Sequence, residues 1–183
     1  ASVTGANAGS TSSQTITITE NDSTPVVTLA TSASSIAENA GSSLTLTATL
    51  SNATTEDVTV ALSTSGTGTE GTDYSTISDI TVTAGNTTGT ASFTPTDDSV
   101  YEGNETGVVA ISTVSGGSAN ESGTPQEVTI TINDNESAPT VTLSSSATSI
   151  SEDAGSSLTL TATLSVATTA DVTVGISTSG TGT

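Results

Sequence analysis

Apolar and polar residues alternate along much of this chain with a period of two. Leu44, Leu46, Ala48 and Leu50 are separated by Thr45, Thr47 and Thr49, the spacing that puts every second side chain on one face of a strand. The alternation returns at Val58, Val60 and Leu62, at Ile80 and Val82, at Ala91 and Phe93, and at Val128, Ile130 and Ile132. Turn-forming clusters separate these runs: Gly66-Thr67-Gly68, Ala84-Gly85-Asn86 and Gly116-Gly117. Thr and Val dominate the runs, and β-branched side chains suit a pleated surface while losing rotamer freedom in a helix. No segment sustains a 3.6-residue apolar period with caps. The pattern predicts an all-β fold, an immunoglobulin-like Greek-key β-sandwich of about seven strands.

The chain also repeats itself. Pro25-Val26-Val27-Thr28-Leu29 returns as Pro139-Thr140-Val141-Thr142-Leu143, an offset of 139 − 25 = 114. Positions 26–69 match 140–183 without a gap at about three-quarters identity, and 41–51 equal 155–165. Ile16-Thr17-Ile18 superposes on Ile130-Thr131-Ile132 at the same offset. This predicts tandem repeats of about 114 residues. Residues 1–25 would be the C-terminal end of one repeat, with a single terminal strand. Residues 26–138 would be a complete repeat, and 139–183 the first three strands of the next. Neither fragment can enclose a core alone. The expected explanation is a window on a longer polypeptide, the alternative being strand exchange between copies.

Composition pulls against order. Leu, Ile, Val and Phe make up just under a fifth of the chain and the formal charge is −19, a combination typical of disorder. The period-two runs outweigh it. The expected core is nevertheless thin, because Tyr74, Phe93 and Tyr101 are the only aromatic residues.

The charge excludes several functions. There is no Lys, Arg or His, so the chain cannot neutralise phosphates and is expected to bind no nucleic acid. No apolar run approaches the roughly 20 residues that span a bilayer, so no membrane insertion is expected. Without His, Cys or Lys the usual general bases and activated nucleophiles are missing. Paired carboxylates could serve a glycosidase, but there is no Trp to hold a sugar. A non-catalytic protein is expected.

What remains is the carboxylates. Asp97, Asp98, Glu102 and Glu105 fall within the nine positions 97–105. Two like charges about 4 Å apart repel by roughly 4 kcal/mol at an effective dielectric of about 20. Hard divalent cations relieve such crowding, Ca²⁺ by taking six to eight oxygens. A solvated acidic loop is the competing explanation.

Four motifs in order then resemble Calx-β domains. They are Ile36-Ala37-Glu38-Asn39-Ala40-Gly41, Gly71-Thr72-Asp73-Tyr74, Asp97-Asp98 with Tyr101-Glu102-Gly103-Asn104-Glu105-Thr106, and Ile132-Asn133-Asp134-Asn135-Glu136. The resemblance spans the central repeat. It implies a sandwich that binds several Ca²⁺ ions at one end, beside the next domain. The ligands it implies are Glu38, Asp73, Asp97, Asp98, Glu102, Glu105, Asp134 and Glu136, with the carbonyl of Val100. Two positions depart from the family pattern: Glu136 stands where Asp is usual, and Gly107 where an aromatic is usual. Glu56, Asp57, Glu70, Asp79, Glu121 and Glu127 read as ordinary surface acids. Asn133-Asp134-Asn135 before Pro139 also resembles a cadherin linker, but the mid-domain cadherin motifs are missing.

The expected role is a calcium-stiffened structural repeat of an extracellular filament, stalk or adhesin, secreted or on a bacterial surface. Its expected partners are neighbouring repeats of the same chain, with self-association into fibres. The alternative is a calcium-sensing regulatory module of a larger membrane-associated protein.

Overall fold

The computed structural model describes residues 4–5, 13–124 and 126–181. Parts of the first segment (1–3 and 6–12), Pro125, and the last two residues of the third segment lie outside the described residues.

Among the described residues thirteen strands follow in chain order: β1 (Val26–Thr31), β2 (Ser35–Ala37), β3 (Leu44–Leu50), β4 (Val58–Gly66), β5 (Ile80–Val82), β6 (Thr88–Phe93), β7 (Val100–Tyr101), β8 (Glu105–Ser115), β9 (Asn120–Glu121), β10 (Glu127–Asn133), β11 (Val141–Ser145), β12 (Leu160–Leu164) and β13 (Ala167–Thr168). A single turn of 3₁₀ helix spans Glu152–Ala154. Two sheets form the sandwich, one in the order β6-β3-β1-β9 and one in the order β2-β10-β8-β4-β5. The all-β sandwich expected from the alternation is therefore present.

Every strand named from the alternation forms, and it buries the expected face. In β3, Leu46, Ala48 and Leu50 point inward; in β4, Val58 and Val60; in β10, Ile130 and Ile132. They meet Val27, Leu29, Val109 and Ile111 in one core. At about 25 cal/mol per Å² such small side chains contribute modestly each. The largest buried groups are Tyr74 and Phe93, stacked with ring centroids 4.6 Å apart.

That pair explains Gly107. A β-carbon on Gly107 would sit 2.7 Å from Cε2 and 2.8 Å from Cζ of Phe93, with Cε1 of Tyr74 at 3.5 Å. The stacked rings already fill the volume an aromatic side chain at position 107 would occupy. The departure from the family pattern is thus a matter of packing.

The flanking segments are less complete. Val141 pairs with Leu164 as Val27 pairs with Leu50, and the whole β11–β12 register follows that of β1–β3. The strand expected at 16–18 does not form, and Ile16 and Ile18 are 84% and 92% exposed. Its counterpart β10 pairs with β2 and β8, and no strand lies beside 16–18 among the described residues. The third expected strand of the last segment is likewise absent at 172–180. Its counterpart β4 depends on β5 and β8.

Gly107→Ala is expected to destabilise the sandwich by about 1–3 kcal/mol through overpacking against Phe93. Urea unfolding measures it, and an unchanged midpoint would contradict the packing account.

Candidate metal centre

Strand register brings the acids to one end of the sandwich. β2 and β10 run parallel with Ala37 opposite Asn133, so the next residues, Glu38 and Asp134, leave the sheet side by side. The Glu38 N–H donates to the Asn133 carbonyl at 2.9 Å. β8 runs antiparallel to β10 with Glu105 opposite Ile132, which starts β8 at the same end. β4 ends there too, with Gly66 opposite Gly107. The following turn brings Asp73 in, held by the Thr96 N–H on the Asp73 carbonyl at 2.9 Å.

Two carboxylate triads result. Glu38, Asp134 and Glu136 form one, and Asp73, Glu102 and Glu105 the other. Within each triad one oxygen per residue lies within 4.8 Å of the others. Glu38 is buried, the other five half-buried.

Asp134 organises its surroundings. Its Oδ2 accepts the N–H groups of Glu102 (2.8 Å) and Gly103 (2.5 Å), and its Oδ1 that of Glu136 (2.7 Å). Burial alone would raise its pKa, but these three donors hold it below the ordinary value. Asn104 adds a contact that sequence reasoning assigned no role: its Oδ1 accepts the Asp134 N–H at 3.2 Å. Its place between Glu102 and Glu105 was the available signal.

The glutamates behave oppositely. Burial raises the pKa of Glu38, and the charges of Asp98, Glu136 and Asp134 add to it. Glu102 is raised by burial and then by Asp73, Asp98 and Asp134. Glu105 is pushed up to about 7 by burial and by Asp73 and Glu102. Glu136 is raised by burial, by its hydrogen bond with Asp134, and by the charges of Asp134 and Asp97.

The remaining residues sit at the margin. Asp98 is exposed, but its N–H donates to Glu38 Oε1 at 3.1 Å, tying it to the first triad. Its Oδ1 accepts the Val100 N–H at 2.7 Å. Val100 is half-buried in β7. Asp97 is exposed and belongs to neither triad. Four of the acids read as surface groups have structural partners. Glu70 accepts from Thr64 Oγ1 and the Ile77 N–H, Asp57 from the Ala84 N–H, Asp79 from the Leu62 N–H, and Glu121 from the Gln126 N–H. No neighbouring residue type announces such contacts in advance.

The donor set fits a hard divalent cation. All the side-chain donors are carboxylate oxygens, which suit Ca²⁺ or Mg²⁺ rather than softer metals. Oxygens on one Ca²⁺ lie at most about 5 Å apart, compatible with the 4.8 Å span. Glu136 Oε2 is buried with no hydrogen-bond partner, so it has a lone pair for which the protein supplies no donor.

The raised glutamates set a pH dependence for the metal-free chain. In the folded state Glu38, Glu102, Glu105 and Glu136 hold protons more tightly than at their ordinary value of 4.5. Their stabilisation is full below that value and lost as pH rises through the folded values, reaching about 7 for Glu105. The lowered pKa of Asp134 acts in the opposite sense, below its ordinary value of 3.8 and outside this window. Melting in metal-free buffer is expected at a higher temperature at pH 5 than at pH 8. A flat or reversed profile would mean the acids are hydrated apart.

Comparison with solved structures places the fold among known ones. The chain is similar to the apo-form Calx CBD1 domain at 18% identity and a TM-score of 0.50, covering 61% of this chain and 99% of that one. CBD12 from CALX1.2 aligns at 19% identity and a TM-score of 0.47, over 55% of this chain and 41% of that one. The calcium binding domain CBD12 of CALX1.1 aligns at 20% identity and 0.47, over 55% and 40%. No curated protein matches by sequence. The family model of the Calx-beta domain matches residues 20–136, well over half of the chain and all six residues of the two triads. This chain belongs to the Calx-beta domain family.

Proposed function

We propose that this chain is a calcium-binding structural repeat of an extracellular filament, stalk or adhesin, without catalytic activity. The observation that carries the calcium reading is the pair of carboxylate triads at one end of a sandwich that has no basic residue. Glu38, Asp134 and Glu136 would hold one ion, and Asp73, Glu102 and Glu105 another. Asp98 and the Val100 carbonyl lie where they could complete the shells, and exposed Asp97 adds negative potential at the mouth. Bound calcium supplies positive charge and cross-links segments that otherwise repel.

The structural role is supported by the last segment, which matches 26–69 at about three-quarters identity, and by the short link from Glu136 to Pro139, only Ser137 and Ala138 long. A prolyl φ is fixed and so short a link limits relative motion. Stiffening the acidic end next to that link would turn a self-repelling chain into a rod, and lateral association of rods would give fibres. An extracellular setting suits a chain without Cys or Lys, in which disulfide chemistry and trypsin-like cleavage have no target. Among the described residues no helix is long and apolar enough to cross a membrane.

Millimolar Ca²⁺ is expected to raise the melting temperature of the full chain by roughly 10 °C or more, the scale of binding at about a hundredfold above Kd. Glu105→Gln removes a carboxylate crowded by Asp73 and Glu102. It is expected to raise the melting temperature in metal-free buffer and to shrink the calcium-induced shift. A variant that melts lower without metal and keeps the full shift would sink this assignment.

A further inference from the structure

The turn that leaves β3 is a rigid knob in the central sandwich. Thr54 is 8% exposed, its carbonyl accepts the Gly85 N–H at 2.8 Å, and its Oγ1 donates to the Glu56 carbonyl at 2.7 Å. The backbone at Gly117 passes so close that a β-carbon there would lie 2.8 Å from Thr54 Cβ. The base of the turn is clamped by Ser51 Oγ, which accepts the Val26 N–H at 3.1 Å. The same clamp recurs in the last segment, where Ser165 Oγ accepts the Thr140 N–H at 2.9 Å. Ala53-Thr54-Thr55 at the tip is repeated as Ala167-Thr168-Thr169, while Asn52 and Val166 differ.

Both copies lie against the segment that precedes them. Asn52 Nδ2 donates to the Ser23 carbonyl at 3.3 Å, and the turn lines a cleft of about 340 Å³ shared with Glu20, Asp22 and Pro25. The second copy goes further. β13 pairs in parallel with β7, Ala167 opposite Val100 and Thr168 opposite Tyr101. β7 lies in the loop that carries Asp98 and Glu102, so the last segment adds a strand to the acidic end of the sandwich.

We infer that this turn is the docking element by which each repeat seats on the acidic end of the repeat before it. Three features suit it to that partner. Its tip carries no carboxylate at 51–55 or 165–169, so it adds no charge repulsion when it approaches an acidic loop. Ala at the tip permits close main-chain approach. In the second copy, where Val166 stands in place of Asn52, main-chain pairing at Ala167 and Thr168 takes over from the Asn52 side-chain contact. The docking does not require bound ions, so it stands apart from the calcium reading.

A cysteine pair tests it in the full chain. The chain has no cysteine, so Tyr101→Cys with Thr168→Cys can form only one intramolecular disulfide. Neighbouring strands about 4.8 Å apart are within the range a disulfide spans. Mild oxidation is expected to close this bond at least tenfold faster than in the control pair Tyr101→Cys with Thr178→Cys, in calcium and in metal-free buffer alike. Equal rates for the two pairs would overturn the docking. Hydrogen exchange of the unsubstituted chain gives a second reading: amides at 100–101 and 167–168 are expected to be protected together. Exchange at 167–168 at the rate of an unstructured peptide would overturn it, even where the calcium-induced melting shift persists.

Discussion

Every charge–charge contact between side chains in this protein is repulsive, because nineteen carboxylates have no basic partner. The fold manages this with backbone dipoles. Asp57, Asp79, Glu70 and Glu121 each accept a main-chain N–H, and so do Asp73 and Asp98. An N–H aimed at a carboxylate stabilises the ionised form in the way a cation otherwise would. Asp134, with three such donors, shows the limit of the method. The glutamates around it are crowded beyond what amides supply, and the buried Oε2 of Glu136 has no donor. The two triads are therefore where the backbone's capacity to offset charge runs out, and where an external cation gains most.

The same end of the molecule holds its bulkiest packing. Tyr74 follows Asp73, Phe93 ends β6, and Gly107 lies two residues into β8 from Glu105. Tyr74 is joined to Asp73 of the second triad, and the missing side chain at Gly107 lets β8 pass close to the stacked rings. The rest of the core is built from Val, Leu, Ile and Ala. Close packing of this kind next to Asp73 and Glu105 suits a site whose carboxylates must be held against their mutual repulsion.

Strand pairing in the two flanking segments depends on which edges are present. β11 pairs with β12, the next strand in sequence, and β13 with β7 of the central sandwich. β11 and β12 reproduce the β1–β3 register. Residues 16–18 and 172–180 correspond to strands of the other sheet, whose partners come from distant parts of a repeat. Their period-two pattern is as clear as that of the central strands, yet it does not suffice. A strand needs an edge to pair with before its apolar face is useful.

The sequence by itself determined the fold class, the strands β3, β4, β5, β6 and β10 of the central sandwich, and the crowding of acids at 97–105. Alternating Leu and Thr allow only one periodicity, and a chain without cations leaves its clustered acids few roles. The crowding of acids at 97–105 marked Glu102 and Glu105, and the resemblance to Calx-β motifs implied the other four members of the two triads. Their division into triads was decided only in three dimensions, by the parallel register that sets Glu38 beside Asp134 and by the antiparallel one that starts β8 at Glu105. So was the marginal place of Asp97, since adjacent positions in a loop need not face the same way. The compensation between Gly107 and Phe93, fourteen positions apart, was equally out of reach of the chain read in line. Pattern reports what each residue prefers locally; which residues meet depends on pairing register and on volume already filled, and both are properties of the assembled sandwich.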